Sequence, residues 1–280
     1  MISNSSSTSR SRMPLLMILL SLLAFAGCAS KKADDGPPRS GSAQPKQLPP
    51  DAIPRKEPRS RYGNPQTYDV FGVRYKVMQT SYGYKERGVA SWYGKKFHGR
   101  MTSSQEPYDM YAMTAAHKKL PLPTYVRVRN LKNNKSVVVR VNDRGPFVDN
   151  RIIDLSYSAA IKLDMIGSGT SLVEVTALSY DEPPAPVNQD VPTRKVTAGP
   201  PQENDVFVQV GAFGDIANAK RRFELLVDSG ISNAFVHRDE DGTPALYRIR
   251  IGPLRGANDY DRLVSKLSDI GISEAHLVTN

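Results

Sequence analysis

TYVRVRNLKNNKSVVVRVNDRGPFVDNRIIDLS, residues 124–156, consists of three short apolar runs separated by two polar turns. In the first run Val126 and Val128 alternate with Arg127 and Arg129, the period-two pattern of a strand with one buried face. KNNK (132–135) carries turn chemistry, so SVVVRVND (136–143) reads as the partner strand of a hairpin. RIIDLS (151–156) is a further strand, entered through NDRGPF, where Gly145 and Pro146 turn the chain. One acid, Asp143, stands where the strand gives way to that turn. The pattern establishes a β-connection. It leaves open whether the acid is held there for chemistry, because an Asp in a turn also hydrogen-bonds its own backbone.

The flanking sequence extends the same plan. GVASWYG (88–94) is a short strand ending at a turn, and LVEVTALS (172–179) is the last strand. Ser156 is placed to N-cap a helix running through about Met165, with Gly167 after it. Strands of this number and length within roughly 90 residues predict a closed β-barrel, the arrangement that removes edge strands.

A second folded unit follows. DVFVQVGAF (205–213) alternates as a strand, and Ala219, Phe223, Leu226 and Val227 recur at helical spacing before Gly230. NAFVHR and ALYRIRIG flank the turn DEDGTP as two more strands. Tyr260, Leu263, Val264, Leu267 and Ile270 mark a second helix, and AHLVT (275–279) closes the pattern. The order β-α-β-β-α-β predicts four antiparallel strands backed by two helices, a fold that says little about function alone.

The ends and the connections set the context. Arg10 and Arg12 precede MPLLMILLSLLAFA (13–26), an apolar run too short to span a bilayer, which reads as the core of a signal peptide (1–27). The run leads into Ala26-Gly27-Cys28, which resembles the bacterial lipobox; that resemblance implies lipidation of Cys28 and anchoring to a membrane. Ala29 follows rather than Asp, which by the same resemblance implies the outer membrane. The single cysteine leaves no partner for an internal disulfide. Residues 28–61 and 181–204 are Pro-rich and lack apolar periodicity, so both read as disordered tethers around units of 62–180 and 205–280. The formal charge of +10 is spread along the chain, without an arginine-rich tract or zinc motif. Behind a secretion signal such a charge indicates a polyanionic envelope surface and argues against a nucleic-acid partner. The four histidines (98, 117, 237, 276) form no pair at ligand spacing, so neither metal nor other cofactor is expected.

FVQVGAF and LYRIRIGPL resemble the signature stretches of the SPOR domain, a family that binds peptidoglycan stripped of stem peptides and gathers at division sites. A sheet face carrying Gln209, Tyr247, Arg248 and Arg250 would offer stacking and hydrogen bonds to such sugars, although strand aromatics such as Tyr247 also serve as ordinary core residues. In the first unit VASWYG, FHG, TAAHKKLPLPTYVRV, VRVNDRGPF and RIIDLSYSAA, with DVFGVRYKV (69–77) ahead of them, resemble the six-stranded double-psi β-barrel of rare lipoprotein A. That family of septal peptidoglycan lytic transglycosylases is built as lipobox, barrel, Pro-rich linker and SPOR domain. The resemblance spans essentially the whole chain. It implies peptidoglycan as partner and substrate, a place on the periplasmic face of the outer membrane at the septum, and association with division-site proteins.

A lytic transglycosylase needs less from the protein than a hydrolase does. The muramyl C6 hydroxyl attacks its own anomeric carbon, so one carboxyl can protonate the leaving oxygen and then collect the C6 proton, whereas hydrolysis usually uses two. By the resemblance Asp143 takes that role, with Glu106 and His117 as its catalytic companions. Arg144 would pull the Asp143 pKa down if its side chain paired with it, so it is expected to point to substrate or structure instead. Trp92, Tyr93 and His98 are the sugar-binding candidates of the barrel. The loop before Glu106 departs from the family form NGE(R/K)(F/Y)D: here it reads SQEPYD (104–109), with no Gly and an added Pro107. A barrel with an altered loop could also be a non-catalytic glycan-binding scaffold, or a hydrolase using water in place of the C6 hydroxyl.

Overall fold

Val126, Val128, Val137, Val139 and Val141 are all but fully buried, as the alternation in the two runs requires. They form the centre of a computed structural model that describes Met1 and residues 36–38, 47–178, 205–239 and 246–279. The expected signal peptide beyond Met1, the lipidation site Cys28 and the whole of the 181–204 tether lie outside these residues.

A hairpin comes first, β1 (Thr67–Val70) with β2 (Val73–Lys76). The barrel strands are β3 (Lys85–Trp92), β4 (Thr114–His117), β5 (Thr124–Asn130), β6 (Ser136–Asp143), β7 (Arg151–Leu155) and β8 (Ser171–Ala177). They close in the order β3-β7-β4-β6-β5-β8. β5 and β6 are the expected hairpin, with Val126 opposite Val139 and Val128 opposite Val137. Its turn is tightened by Asn134, which adopts φ +58 and donates its N–H to Asn130 O at 2.9 Å. Two pairings are parallel, β3 with β7 and β4 with β6. Parallel neighbours require long crossings, and here the polar segments between strands provide them.

Two expectations shift. TAAH (114–117) is not among the strands the sequence pattern marks, yet it forms β4, between β6 and β7. Four residues with two alanines carry no period, so burial on both sides, not propensity, makes it a strand. The helix after β7, α1 (Tyr157–Lys162), is capped by the Ser156 hydroxyl as expected but stops early. Asp164 at φ +58 ends it before Gly167 is reached.

The reading of 28–61 as tether also needs revision at its C-terminal end. From residue 51 the chain lies along the barrel wall. β4 pairs with β6 from Arg140 onward, and Asp51 and Ala52 take the open edge at Val138, Val138 N donating to Asp51 Oδ2 at 2.8 Å and Ala52 N to Val138 O at 3.0 Å. Further along, Ser60 N donates to Leu122 O (2.8 Å), and the Asn64 amide both donates to Leu122 O and accepts from Leu122 N (each 2.8 Å). A Pro-rich segment without apolar period can be ordered this way because its backbone groups are satisfied by a neighbouring strand rather than by its own fold.

The second unit has the expected order: β9 (Val206–Phe213), α2 (Ile216–Asp228), β10 (Ala234–Asp239), β11 (Leu246–Ile251), α3 (Ala257–Asp269) and β12 (His276–Thr279). Its sheet runs β10-β11-β9-β12, antiparallel throughout. Val208, Ile249 and Ile251 face Leu226 and Leu267 of the helices, all within 0% exposure. Asp215 caps α2 through Ala217 N and Asn218 N.

Candidate functional site

β6 sets the geometry through its alternation. Val137, Val139 and Val141 point into the barrel, so Arg140 and Asn142 project from the outer wall and Asp143 ends the strand. Gly145 follows at φ +137, a backbone conformation that glycine allows and that turns the chain away from the strand. Asp143 is half-buried. Its Oδ1 accepts from Ser103 N, Ser103 Oγ and Arg144 N, each at 2.7 Å. Among the described residues these are its hydrogen bonds, so Oδ2 is the oxygen left for a substrate. The Arg144 N bond is the turn cap that the sequence suggested; the two bonds from Ser103 come from a loop forty residues away and serve no turn.

That loop carries Glu106. Met101 bridges Pro107, Thr102 N donates to Glu106 O at 2.8 Å, and Gln105 sits at φ +67. Gln105 stands where the family form has Gly, and it adopts the left-handed conformation that glycine enters most readily. The Glu106 carboxylate reaches the outer face of β6. It accepts from Arg140 Nη1 (2.7 Å), Arg140 Nη2 (3.0 Å) and Asn142 Nδ2 (2.9 Å). Burial pushes its pKa up, but the Arg140 and Asn142 hydrogen bonds and the Arg140 charge outweigh it and hold the group below the usual glutamate range. Glu106 is therefore ionised at neutral pH. The loop is thus fastened to two successive residues of β6, Glu106 to Asn142 and Ser103 to Asp143, which brings both carboxylates to one end of the strand.

His117 is placed differently. Its Nδ1 accepts from Lys119 N (3.1 Å) and Leu120 N (2.9 Å), so the ring proton resides on Nε2 and is donated to Tyr84 Oη at 2.8 Å. Tyr84 in turn donates to Glu86 at 2.7 Å. Burial first, then the nearby charges of Arg144, Lys119 and Lys118, push the imidazole down to about 3, so it is neutral. With both nitrogens engaged, the ring organises the chain after β4 and does not meet Asp143 or Glu106. Arg144 also serves the framework. Its guanidinium donates to Gly63 O (2.8 Å), His117 O (3.1 Å), Leu120 O (2.6 Å) and Asn64 Oδ1 (3.2 Å). Burial, partly offset by Tyr68, lowers its pKa to about 10, still a cation at neutral pH. It binds carbonyls rather than the Asp143 side chain, the structural one of the two roles expected for it.

The aromatic candidates divide. Tyr93 is buried and stacks on Tyr108 at 4.0 Å; Trp92 is half-buried and tilts against Tyr157 at 5.6 Å. Burial, then Tyr108, Asp143 and Asp154, pushes the Tyr93 phenol well up, so it stays protonated beside the acid. His98 is 45% exposed, accepts from Met110 N at 3.2 Å and meets Tyr111 edge-on at 5.8 Å. In the second unit Gln209 lies between Arg250 and His276 on one sheet face, and Arg248 shares that face, paired with Asp239 at 2.7 Å. Tyr247 is not with them: it packs on the opposite side against the core.

Ser103, Arg140 and Asn142 were not singled out from sequence. The available signal was the polar pair Arg140 and Asn142 in the outward phase of a valine strand, which reads as a solvated face until a loop is known to cover it. Among the described residues no group of three His, Cys, Asp or Glu side chains is placed to hold a metal ion, and no helix is long and apolar enough to cross a membrane.

Comparison with known proteins adds an independent line. A family model described as lytic transglycolase matches residues 85–175, and a SPOR-domain model matches 202–279. A Vibrio cholerae protein named endolytic peptidoglycan transglycosylase RlpA is 36% identical over 274 residues, 95% of this chain and 97% of the relative. The Pseudomonas aeruginosa protein of that name is 35% identical, over 82% of this chain and 80% of its own. Among solved structures, Streptomyces papain inhibitor aligns with 35% of this chain and 99% of its own at 22% identity and a TM-score of 0.29, too slight a likeness to bear on the site.

Proposed function

The chain belongs to the RlpA family of endolytic peptidoglycan transglycosylases, and we propose that it cleaves the MurNAc–GlcNAc bond of glycan strands with Asp143 as the one proton-transferring group. Oδ2 protonates the glycosidic oxygen as the bond from C1 to that oxygen breaks. The muramyl C6 hydroxyl then bonds to C1 and gives its proton to the same carboxylate, which restores the acid and leaves a 1,6-anhydro end. Protons and bonds balance without water. Glu106, held ionised, opposes the positive charge that develops at the anomeric centre. His117 supports the reaction at a distance, as a neutral ring fixing the segment that Arg144 also grips. Trp92 and His98 line the approach for sugar rings, whereas Tyr93, buried and stacked on Tyr108, packs within the wall.

The observation that supports this reading best is the asymmetry of Asp143: one oxygen fixed by three donors and the other left for substrate. Fixing one oxygen holds the carboxylate plane, which is what a single group acting first as acid and then as base requires.

The same premise extends to place and partners. Lipidation at Cys28 would tether the chain to the periplasmic face of the outer membrane. The SPOR domain, with Gln209, Arg248 and Arg250 on one sheet face, would hold it on peptide-stripped septal strands, where cleavage aids cell separation alongside division-site proteins. The test is digestion of purified sacculi, with and without stem peptides, with products read by mass spectrometry. Anhydromuramyl ends released preferentially from stripped strands are expected. Reducing ends would replace this reading with hydrolysis, and retention on sacculi without any soluble product would replace it with binding alone.

A further inference from the structure

Glu57 lies upstream of the barrel, in a stretch whose sequence gave no reason to join it to the site. The structure brings it to the adjacent edge of the guanidinium that holds Glu106. Arg140 offers two bidentate edges. Nη1 and Nη2 serve Glu106 at 2.7 and 3.0 Å, while Nη2 and Nε serve Glu57 at 2.8 and 3.2 Å. Glu57 is itself fixed. It accepts from the Tyr125 hydroxyl and from Arg55 Nε, and the segment on either side is fastened to the barrel at Asp51, by Val138 N and by Lys162 at 2.7 Å, and at Asn64. Arg140 and Glu57 are both well shielded, with 18% and 17% of their side chains exposed, whereas Glu106 is at 42%. The better-anchored and less exposed carboxylate is thus the one outside the site.

A guanidinium is planar, so fixing one edge fixes the other. We propose that Glu57 is a positioning residue for the reaction: by occupying the Nε/Nη2 edge of Arg140 it aims the Nη1/Nη2 edge at Glu106, so the segment ahead of the barrel completes the site. Arg140 would otherwise be free to swing with the exposed carboxylate it holds, and small misplacements of a charged group in a site are costly. Burial opposes ionisation of Glu57, but Arg140, Tyr125 and Arg55 together hold its pKa down to about 2, so the clasp persists across the working range of pH. This inference rests on the role given above to Glu106.

The experiment uses the full chain. Glu57→Gln should lower kcat about tenfold with KM changed less than twofold, and Glu57→Asp, which keeps the charge, should recover most of the loss. In parallel, hindered rotation of the Arg140 guanidinium is followed by nitrogen NMR on arginine-labelled protein, a readout that needs no turnover. Rotation should be slow in the wild type and fast in Glu57→Gln. Unchanged rotation in that variant overturns the proposal whatever its activity, and so does faster rotation with an unchanged kcat. If Glu57→Gln does not fold, Glu57→Asp carries both readouts, with a smaller loss of kcat and a partial release expected and no change in either overturning. Wild-type turnover by Glu106→Gln would instead sink the reading beneath it, which the rotation measurement distinguishes.

Discussion

Asp143 accepts hydrogen bonds on one oxygen from two backbone amides and a hydroxyl, whereas Glu106 is gripped on both oxygens by a guanidinium and an amide. The two carboxylates share one end of β6 and one covering loop, yet their surroundings suit opposite tasks. Neutral donors on a single oxygen fix the orientation of the carboxyl and leave the other oxygen to the substrate. A cation across both oxygens commits the charge and removes the group from proton transfer. The difference assigns proton transfer to the corner and charge stabilisation to the loop, an allocation that can be attacked one side at a time.

The sharpest attack is Asp143→Asn, which keeps shape and the Oδ1 acceptor but carries no transferable proton. Release of soluble glycan should fall about 10³- to 10⁴-fold, while co-sedimentation with sacculi is unchanged. Substantial residual release would move the acid elsewhere. Glu106→Gln comes next, with a loss of about 10²-fold, because charge stabilisation goes while the proton route stays. The pH profile separates the roles further. A depressed pKa keeps Glu106 ionised, and its contribution in place, until the pH drops through that lowered value, so the acid limb should lie below the usual 4.5. Arg140→Gln removes the main cause of the lowering and should move that limb upward. A limb that ignores Arg140 would break the distinction between the two carboxylates.

The corner and the loop also differ in how far sequence could reach them. The valines of β5 and β6, with the KNNK turn, specify their hairpin register, and Asp143 at a Gly-Pro turn is conspicuous because the turn is local. Glu106 carries no such local sign. Its partners Arg140 and Asn142 lie 34 and 36 residues on, and their side chains meet it only once the barrel has closed. His117 shows the converse: an attractive residue type for catalysis whose neighbours, two backbone amides and Tyr84, use it to shape a chain reversal. Ordering of 51–66 on the barrel was equally invisible, since composition reports whether a segment can form a core and not whether a strand edge is waiting for it.

Ser103 joins the two regions, so its hydroxyl measures how far the Asp143 side depends on the loop. Ser103→Ala removes one of three donors to Oδ1 and leaves the amide in place. A net hydrogen bond of about 1 kcal/mol predicts a roughly fivefold lower kcat, with Tm nearly unchanged because the site is half-exposed. A loss as large as that of Asp143→Asn would mean that Ser103 takes part in the chemistry itself.

The smallest effect concerns the backbone under each carboxylate. Both turns require a residue at positive φ, and the corner meets the need with Gly145 at +137 whereas the loop uses Gln105 at +67. A side chain in the left-handed region costs about 1 kcal/mol that glycine avoids. Gln105→Gly relieves that amount but adds about 0.4–1 kcal/mol of entropy to the unfolded chain, so stability should hold or rise slightly, with Tm up by no more than about 2 °C. Since the carboxylate of Glu106 is held by Arg140 and Asn142 rather than by the turn, kcat should stay within about twofold. A variant that gains stability but loses rate would show that the loop's backbone, and not its clasp on β6, sets where Glu106 stands. That outcome would make the glutamine a substitution that stiffens the loop at a cost in strain.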